Sequence, residues 1–315
     1  EPSVAGQISG SWQVSGTSGF VELSGQAKTV AESTTAIAIS PPCTLRATFD
    51  SPRDEDVYEF SANQGDQLAI DVVSQRMGQP TDCRMILERS QPQEAGDPVW
   101  HQVLHDDDSQ GIGDAALQLR TTDPMALFTA PETATYRLTI KDLDSGQALS
   151  RQQEYLLDVR PPEPRFELVA YRPFPATDLN TSRPIGSQMF REGTEAIRVY
   201  CLRRHGWTGA IELQVEGLPE GVTCAAATIA ANQDHAQLTL VAADDASWSV
   251  ASPQVIGRAT VAEQPRSQVA VAAVIQSGRG HLRNVVHSRR ATDLAIAVSE
   301  LDLSLIHISD PTRLQ

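Results

Sequence analysis

Alternation of apolar and polar residues, interrupted by turn-forming residues, is the feature of this chain that most constrains its fold. The pattern is clear at 56–60, 67–73 and 136–140, all within one stretch between 49 and 159. Side chains of a β-strand point alternately to opposite faces, so a period of two is typical of half-buried strands. Gly, Asp and Asn residues separate the pieces, as turns require. We expect a β-sandwich here, with the turn at 63–66 closing a hairpin.

A proline-rich segment at 161–164 divides the chain, because three prolines within four positions favour an extended, semi-rigid spacer. Beyond it, 196–202 and 210–215 alternate on either side of a turn that contains Trp207. A Gly-Leu-Pro-Glu-Gly-Val corner follows at 217–222. Turn signals at this spacing are typical of an immunoglobulin-like sandwich.

The sequence therefore predicts an all-β protein of two tandem β-sandwiches. The first occupies 31–160 and the second 165–302, joined by the linker at 161–164. Residues 1–30 are rich in Ser and Gly and are interpreted as a linker or the remnant of a preceding β-element.

Both ends of the chain suggest an incomplete sequence. Glu1 is not a start residue and no signal peptide is visible, so we expect the natural beginning to be missing or processed. The tail at 303–315 resembles a translated sequencing adapter. We expect natural sequence to stop near Asp302, and we give His307 no functional weight.

Composition excludes two classes of protein. Hydrophobic residues make up 40% of the 315, as in a globular protein, and no apolar run approaches the roughly 20 residues that span a bilayer. The net charge of −15 argues against nucleic acid as a partner, since phosphate binding requires clustered Lys and Arg. The acidic excess indicates either the solubility of an exported protein or a cation-binding surface.

Four cysteines lie two in each half of the chain, at Cys43, Cys83, Cys201 and Cys224. None forms a C-x-x-C pair, so zinc-ribbon spacing is absent. An oxidising compartment would allow one disulfide in each sandwich, with Cys201 and Cys224 as the favoured pair. Small buried thiols in strands are the alternative.

An ordered set of short motifs in the first sandwich resembles the bacterial pre-peptidase C-terminal domain. The motifs are Asp-Val-Tyr-Glu-Phe at 56–60, Gly-Asp-Gln-Leu at 65–68, Arg-Met-Gly-Gln-Pro-Thr-Asp at 76–82, His-Asp-Asp-Asp at 105–108, Phe-Thr-Ala-Pro at 128–131 and Thr-Tyr-Arg-Leu at 135–138. The chain departs from the family at Ala134-Thr135, where members usually place Gly before the Tyr. The resemblance implies a jelly-roll-like sandwich found on secreted proteins, often beside a peptidase and not itself catalytic.

The second sandwich resembles the immunoglobulin-like repeats that follow such a module in large exported bacterial proteins. The residues that carry this resemblance lie between 190 and 245, around the Gly-Trp-x-Gly turn and the Gly-Leu-Pro-x-Gly-Val corner.

The candidate metal site is an acidic loop, Asp106-Asp107-Asp108, together with Asp114. Calcium takes six to eight oxygen ligands, and clustered loop carboxylates supply several of them. The spacing does not match the EF-hand pattern. The alternatives are a calcium site and a solvated acidic turn, and no other cofactor is indicated.

Exposed aromatic residues are candidate ligand contacts. Trp100, Trp207 and Trp248 are each able to stack on a sugar ring, and Trp207, in a predicted turn, is the preferred contact; covering the end of the core is the alternative. His101 and His105 are four apart, but the pattern is that of a strand and the H-E-x-x-H glutamate is missing, so surface histidines are expected instead of zinc ligands.

No catalytic constellation is visible. The G-x-S-x-G elbow is absent and the cysteines lack a nucleophile signature. We predict a non-catalytic accessory, binding or spacer region of a larger secreted, periplasmic or cell-surface bacterial protein. Extracellular matrix, carbohydrate or another protein would be its partner. The alternative is an appendage of a secreted peptidase or other hydrolase whose catalytic domain lies outside this sequence.

Overall fold

The computed structural model describes residues 27–30, 35–50, 54–108, 112–113, 117–119, 121–143, 153–173, 187–277 and 286–302. These residues form β-strands and a single 3-10 turn, with no α-helix among them. The prediction of an all-β protein is therefore confirmed. Within the same ranges, no helix has the length and hydropathy needed to cross a bilayer.

The chain divides into two compact units. The first comprises Glu1–Gly111 and Leu119–Glu163, and the second comprises Ile112–Gln118 and Pro164–Gln315. The main division thus falls inside the predicted linker at 161–164. The interpretations of 1–26 in the leading segment and of the tail at 303–315 concern residues outside the described ranges.

Twelve strands and one 3-10 turn lie before the linker. They are β1 (Lys28–Thr29), β2 (Ile37–Ala38), β3 (Cys43–Phe49), β4 (Glu55–Ala62), β5 (Gln67–Val73), the 3-10 turn (Gln75–Met77), β6 (Cys83–Gln91), β7 (Val99–Asp106), β8 (Ile112–Gly113), β9 (Gln118–Leu119), β10 (Met125–Thr129), β11 (Ala134–Asp142) and β12 (Gln153–Arg160).

Two five-stranded sheets form the first sandwich. One has the order β1-β3-β12-β5-β10 and the other β2-β4-β11-β6-β7, while β8 and β9 form a separate two-stranded piece. Successive long strands mostly alternate between the sheets, as expected of a jelly-roll-like sandwich. Both sheets contribute side chains to one apolar core. It includes Leu68, Ile70 and Val72 from β5 and Tyr136 and Leu138 from β11.

The turn at 63–66 differs from its prediction. Asp66 donates its backbone N–H to Asn63 O at 3.0 Å, and Gly65 has a φ of 87°, so the tight turn is present. However, β4 and β5 belong to different sheets. The turn is an arch across the sandwich and not a hairpin, because the strands that flank it pair with β11, β10 and β12 instead of with each other.

Thirteen strands follow the linker. They are β13 (Arg165–Tyr171), β14 (Ser187–Arg191), β15 (Thr194–Arg204), β16 (Ile211–Glu216), β17 (Val222–Cys224), β18 (Ala227–Ile229), β19 (His235–Ala242), β20 (Ser249–Ala251), β21 (Gln254–Val261), β22 (Gln264–Val269), β23 (Val271–Ser277), β24 (Val286–Arg290) and β25 (Ile296–Asp302).

These strands form a six-stranded sheet, β17-β19-β15-β13-β23-β24, a four-stranded sheet, β18-β16-β21-β22, and a three-stranded sheet, β14-β25-β20. A second apolar core includes Leu168 and Val199 from the first of these and Ile211 and Val255 from the second. Tandem β-sandwich modules are therefore confirmed. The immunoglobulin-like class of the second module stays a prediction.

Candidate functional site

The acidic loop begins at the end of β7, where Asp106 is held by the neighbouring sheet. Its Oδ2 accepts a hydrogen bond from the backbone N–H of Met125, at 2.7 Å, which ties β7 to β10. Partial burial raises the pKa of Asp106; the Met125 hydrogen bond acts against that rise, and the charge of Asp107 adds to it. One carboxylate of the predicted metal site thus also has a structural role.

The calcium set of Asp106, Asp107, Asp108 and Asp114 stays a prediction. Asp114 lies outside the described residues. Within the described ranges, no three His, Cys, Asp or Glu side chains are grouped closely enough to hold a metal ion. The fit of calcium to this loop therefore depends on Asp114 or on backbone oxygens.

A polar cluster of the first sandwich centres on Arg76, an arginine on the 3-10 turn whose burial no sequence pattern indicated. Its side chain is only 2% exposed. Its Nε donates to Asp123 Oδ2 at 2.9 Å, and its Nη2 donates to Asp71 Oδ1 and to Val72 O, the latter at 2.8 Å. These contacts connect the 3-10 turn to β5 and to the residues just before β10.

Asp123 organises the 3-10 turn itself. Its Oδ1 accepts hydrogen bonds from the backbone N–H groups of Ser74 and Gln75, at 3.0 and 2.7 Å, and its Oδ2 accepts from the N–H of Arg76 at 2.9 Å. Burial alone would lower the pKa of Arg76, but the charges of Asp71 and Asp123 and their hydrogen bonds outweigh it and raise that pKa above its ordinary value. Arg76 is therefore a permanent buried cation.

A second ion pair extends the cluster across the sheet. Asp71 on β5 lies directly opposite Asp158 on β12. Like charges facing each other in this way destabilise a sheet unless each is neutralised. Here Arg76 pairs with Asp71, Arg160 pairs with Asp158, and Thr44 donates its hydroxyl to Asp158 at 2.7 Å. The carboxylates are thus committed to neighbours within the fold.

The start of β4, at its second residue, contains another buried carboxylate. Asp56 is 5% exposed, and its Oδ2 accepts a hydrogen bond from the Tyr155 hydroxyl at 2.6 Å. The Tyr58 hydroxyl lies 2.6 Å from that of Tyr155. Burial, with Tyr58 and Asp56 contributing, raises the pKa of Tyr155 well above its ordinary value. The trio thus commits the Asp56 carboxylate to a hydrogen bond inside the first sandwich.

Trp207 occupies the turn after β15, and its indole makes three contacts there. Its ring stacks on Phe166 with centroids 5.1 Å apart, and its Nε1 donates to Thr260 O at 3.3 Å. The guanidinium of Arg203 lies 5.6 Å from the ring centroid, and its nitrogens donate to the carbonyls of Gly209, Ala230 and Gln233. The indole is partly buried and packs against the second core. Its role as a ligand contact stays a prediction.

Trp100 and Trp248 differ in their contacts and in their exposure. Trp100 on β7 lies over the guanidinium of Arg137, 3.8 Å from Cζ to the ring centroid, and Arg137 also pairs with Glu59. Trp248, just before β20, is 69% exposed. Trp248 is therefore the described tryptophan with the largest free surface.

The register of β7 against β6 places His101 and His105 apart, so they do not form a metal-binding pair. His105 lies opposite Ile86 and His101 opposite Arg89, with a β-bulge between these pairs at Leu87 and Glu88. The bulge turns the two side chains to opposite faces of the sheet, because the inserted residue shifts the alternation by one.

The favoured disulfide between Cys201 and Cys224 is wrong. Both are free thiols, as are Cys43 and Cys83. Cys224 lies opposite Leu240, which lies opposite Glu195 on β15, six residues before Cys201. Six residues of strand span about 20 Å, whereas a disulfide requires Cα atoms within about 7 Å. Burial raises the pKa of the Cys201 thiol to about 12 and that of Cys43 to about 11, which leaves both poor nucleophiles.

No family model matches the sequence, and no curated protein matches it. Among solved structures, the chain is similar to a crystal structure of the pre-peptidase C-terminal domain of collagenase from Bacillus anthracis. The likeness has 17% sequence identity and a TM-score of 0.29, and it covers 41% of this chain and 99% of that domain. At these values the fold assignment rests on the strands and sheets described above.

Proposed function

We propose that this chain is a non-catalytic accessory region of a larger secreted or cell-surface bacterial protein, with a binding or spacer role. Two β-sandwich modules in tandem, separated at a proline-rich segment, support it. The observation that carries the proposal is how the polar clusters are used. The charged groups around Arg76 and the Tyr155 trio bond to one another and to the backbone, and so serve the fold.

The test is a hydrolysis assay on the purified chain with casein and generic ester substrates. We expect no turnover above buffer. Turnover that co-purifies with the protein and is lost when it is unfolded would overturn the proposal.

The second candidate is an appendage of a secreted peptidase or other hydrolase whose catalytic domain lies elsewhere in the parent protein. The ordered motifs between 56 and 138 favour it through their resemblance to the pre-peptidase C-terminal domain. The neighbouring coding sequence separates the two: an adjacent peptidase domain supports the second, and further β-sandwich repeats support the first.

The same proposal includes calcium. It would be a structural ion of the acidic loop at Asp106–Asp108, with Asp114 as a fourth ligand. Carboxylate oxygens on a loop are the ligand type that calcium prefers. The partner would be matrix, carbohydrate or protein.

A further inference from the structure

Trp248 presents an exposed indole that the fold does not use. It is 69% exposed, and Val250, two residues on, is 63% exposed. Among the described residues, no ring stack, cation–π contact or hydrogen bond from the indole involves Trp248, in contrast to Trp100 and Trp207. Tryptophan is enriched at interfaces, because its ring supplies a large apolar contact area and its N–H a hydrogen bond.

Two loops meet at Ala246, two residues before Trp248 in the chain. Ala246 donates its N–H to Ala243 O at 3.3 Å, which closes a turn, and Ala243 donates its N–H to Gly221 O at 2.8 Å. A Cβ placed on Gly221, whose φ is 77°, would lie 2.9 Å from the Cα of Ala246. The close approach of the backbones requires glycine there, and it brings the corner at 217–222 against the turn at 243–246.

This junction carries three carboxylates. Glu220, Asp244 and Asp245 are all exposed, and none forms an ion pair within the described residues. One cation, the half-buried Arg191, also reaches this turn, where its Nε donates to Ala246 O at 2.8 Å. The second module is otherwise close to charge balance, with 15 acidic and 13 basic residues over 161–302. We call Glu220, Asp244, Asp245 and Trp248 the Trp248 corner.

We propose that the Trp248 corner binds a cationic peptide segment. A Lys or Arg side chain over the face of an indole is attracted by the ring quadrupole, and Trp is the strongest partner of this kind. Unpaired carboxylates in the turn just before Trp248, and in the corner packed against that turn, add charge complementarity, which fixes the sign of the partner. A neutral ligand would use the ring and leave the carboxylates without counter-charges. The inference rests on the proposed binding role, and it names the chemistry of the partner.

The test compares variants of the full chain in binding a dye-labelled oligolysine peptide, read by fluorescence anisotropy at low salt. We expect Trp248→Ala to weaken binding by about threefold, the worth of one cation–π contact at an exposed site. Asp244→Asn with Asp245→Asn should weaken it by a similar factor. Glu94→Gln with Asp97→Asn removes the same charge from an exposed loop of the first module and is the matched control.

The control decides between a site and general attraction to an acidic protein. Equal losses for the control and the Trp248 corner variants would overturn the inference, as would oligolysine binding that Trp248→Ala leaves unchanged. Binding of a neutral oligosaccharide, lost on Trp248→Ala while oligolysine does not bind, would also overturn it. The hydrolysis assay judges the proposed function separately, because a chain without turnover and without peptide binding keeps the accessory role and loses only this inference.

Discussion

At the scale of single residues, the buried ion pair of Arg76 and Asp123 joins two segments that are far apart in the sequence. Arg76 lies in a polar stretch between two strands, and Asp123 lies 47 positions later in another. Neither position has a periodic neighbour that marks it as buried. Their pairing arises only when the sheets bring the two loops together, so an alternation pattern cannot predict it. Asp56 is a similar case, since a charged strand start reads as exposed.

The buried cation makes a sharp stability prediction. Arg76→Met leaves Asp123 and Asp71 buried without their counter-charge, which we expect to lower the free energy of unfolding of the first module by about 3–5 kcal/mol. Urea denaturation measures it. Arg137→Met is the control, because that side chain is 32% exposed and we expect its loss to cost about 1 kcal/mol. Equal effects of the two variants would contradict a special role for Arg76.

Asp106 predicts a pH effect with a definite sign. Its folded pKa is raised, chiefly by partial burial, so protonation favours the folded state: the stabilisation is present below the ordinary carboxylate range and is lost as pH rises through the folded value. Asp106→Asn keeps an oxygen for the Met125 N–H and removes the buried charge. In EDTA at neutral pH the variant should melt higher than the natural protein, and this advantage should vanish in acid. A lower melting temperature at neutral pH would contradict the prediction.

At the scale of elements, alternation predicted strands well and connections poorly. The face shared by Leu68, Ile70 and Val72 follows directly from a period of two and is confirmed in the first core. The turn at 63–66 was recognised, but the same residues close a hairpin or an arch between sheets. Turn chemistry sets the local backbone and leaves the partner strand to long-range pairing. The Cys201–Cys224 error has the same origin, since strand register decides it.

Trp207 offers a test at this scale that separates a structural residue from a ligand contact. Trp207→Phe should keep the stack on Phe166 and lose the hydrogen bond to Thr260 O, a loss of about 1 kcal/mol in unfolding free energy. Trp207→Ala should lower the unfolding free energy by about 3 kcal/mol, because the stack, the hydrogen bond and the contact with Arg203 all disappear. Thermal or urea unfolding of the second module measures both. A Trp207→Ala variant as stable as the natural protein would favour the ligand-contact role.

Gly257 on β21 packs against Leu168 of the opposite sheet with no room for a side chain. A Cβ there would lie 2.4 Å from Leu168 Cδ1 and 2.9 Å from Ile211 Cγ2. Gly257→Ala should therefore overpack the core and lower the unfolding free energy by about 1–3 kcal/mol. Ser267→Ala, at an exposed position on the adjacent strand β22, is the control and should have little effect. Urea unfolding of both variants provides the measurement.

At the scale of the whole molecule, charge is divided unevenly between the modules. Residues 31–160 contain 22 acidic and 10 basic side chains, whereas 161–302 contain 15 and 13. Repulsion within the first module falls as salt screens it. Sodium chloride should therefore raise the melting temperature of the first module more than that of the second, with no ion-specific site required.

The acidic-loop prediction requires calcium to raise the melting temperature of the first module by more than this screening effect does. A cation that binds only the folded state stabilises it according to its concentration relative to Kd, so calcium chloride should raise the first melting transition beyond sodium chloride of equal ionic strength. EDTA should reverse the excess. Asp107→Asn with Asp108→Asn should abolish it, while Glu94→Gln with Asp97→Asn, which removes equal charge at another loop, should leave it intact. If calcium and sodium act alike at matched ionic strength, the loop is a solvated acidic turn, and the net charge of −15 reflects solubility alone.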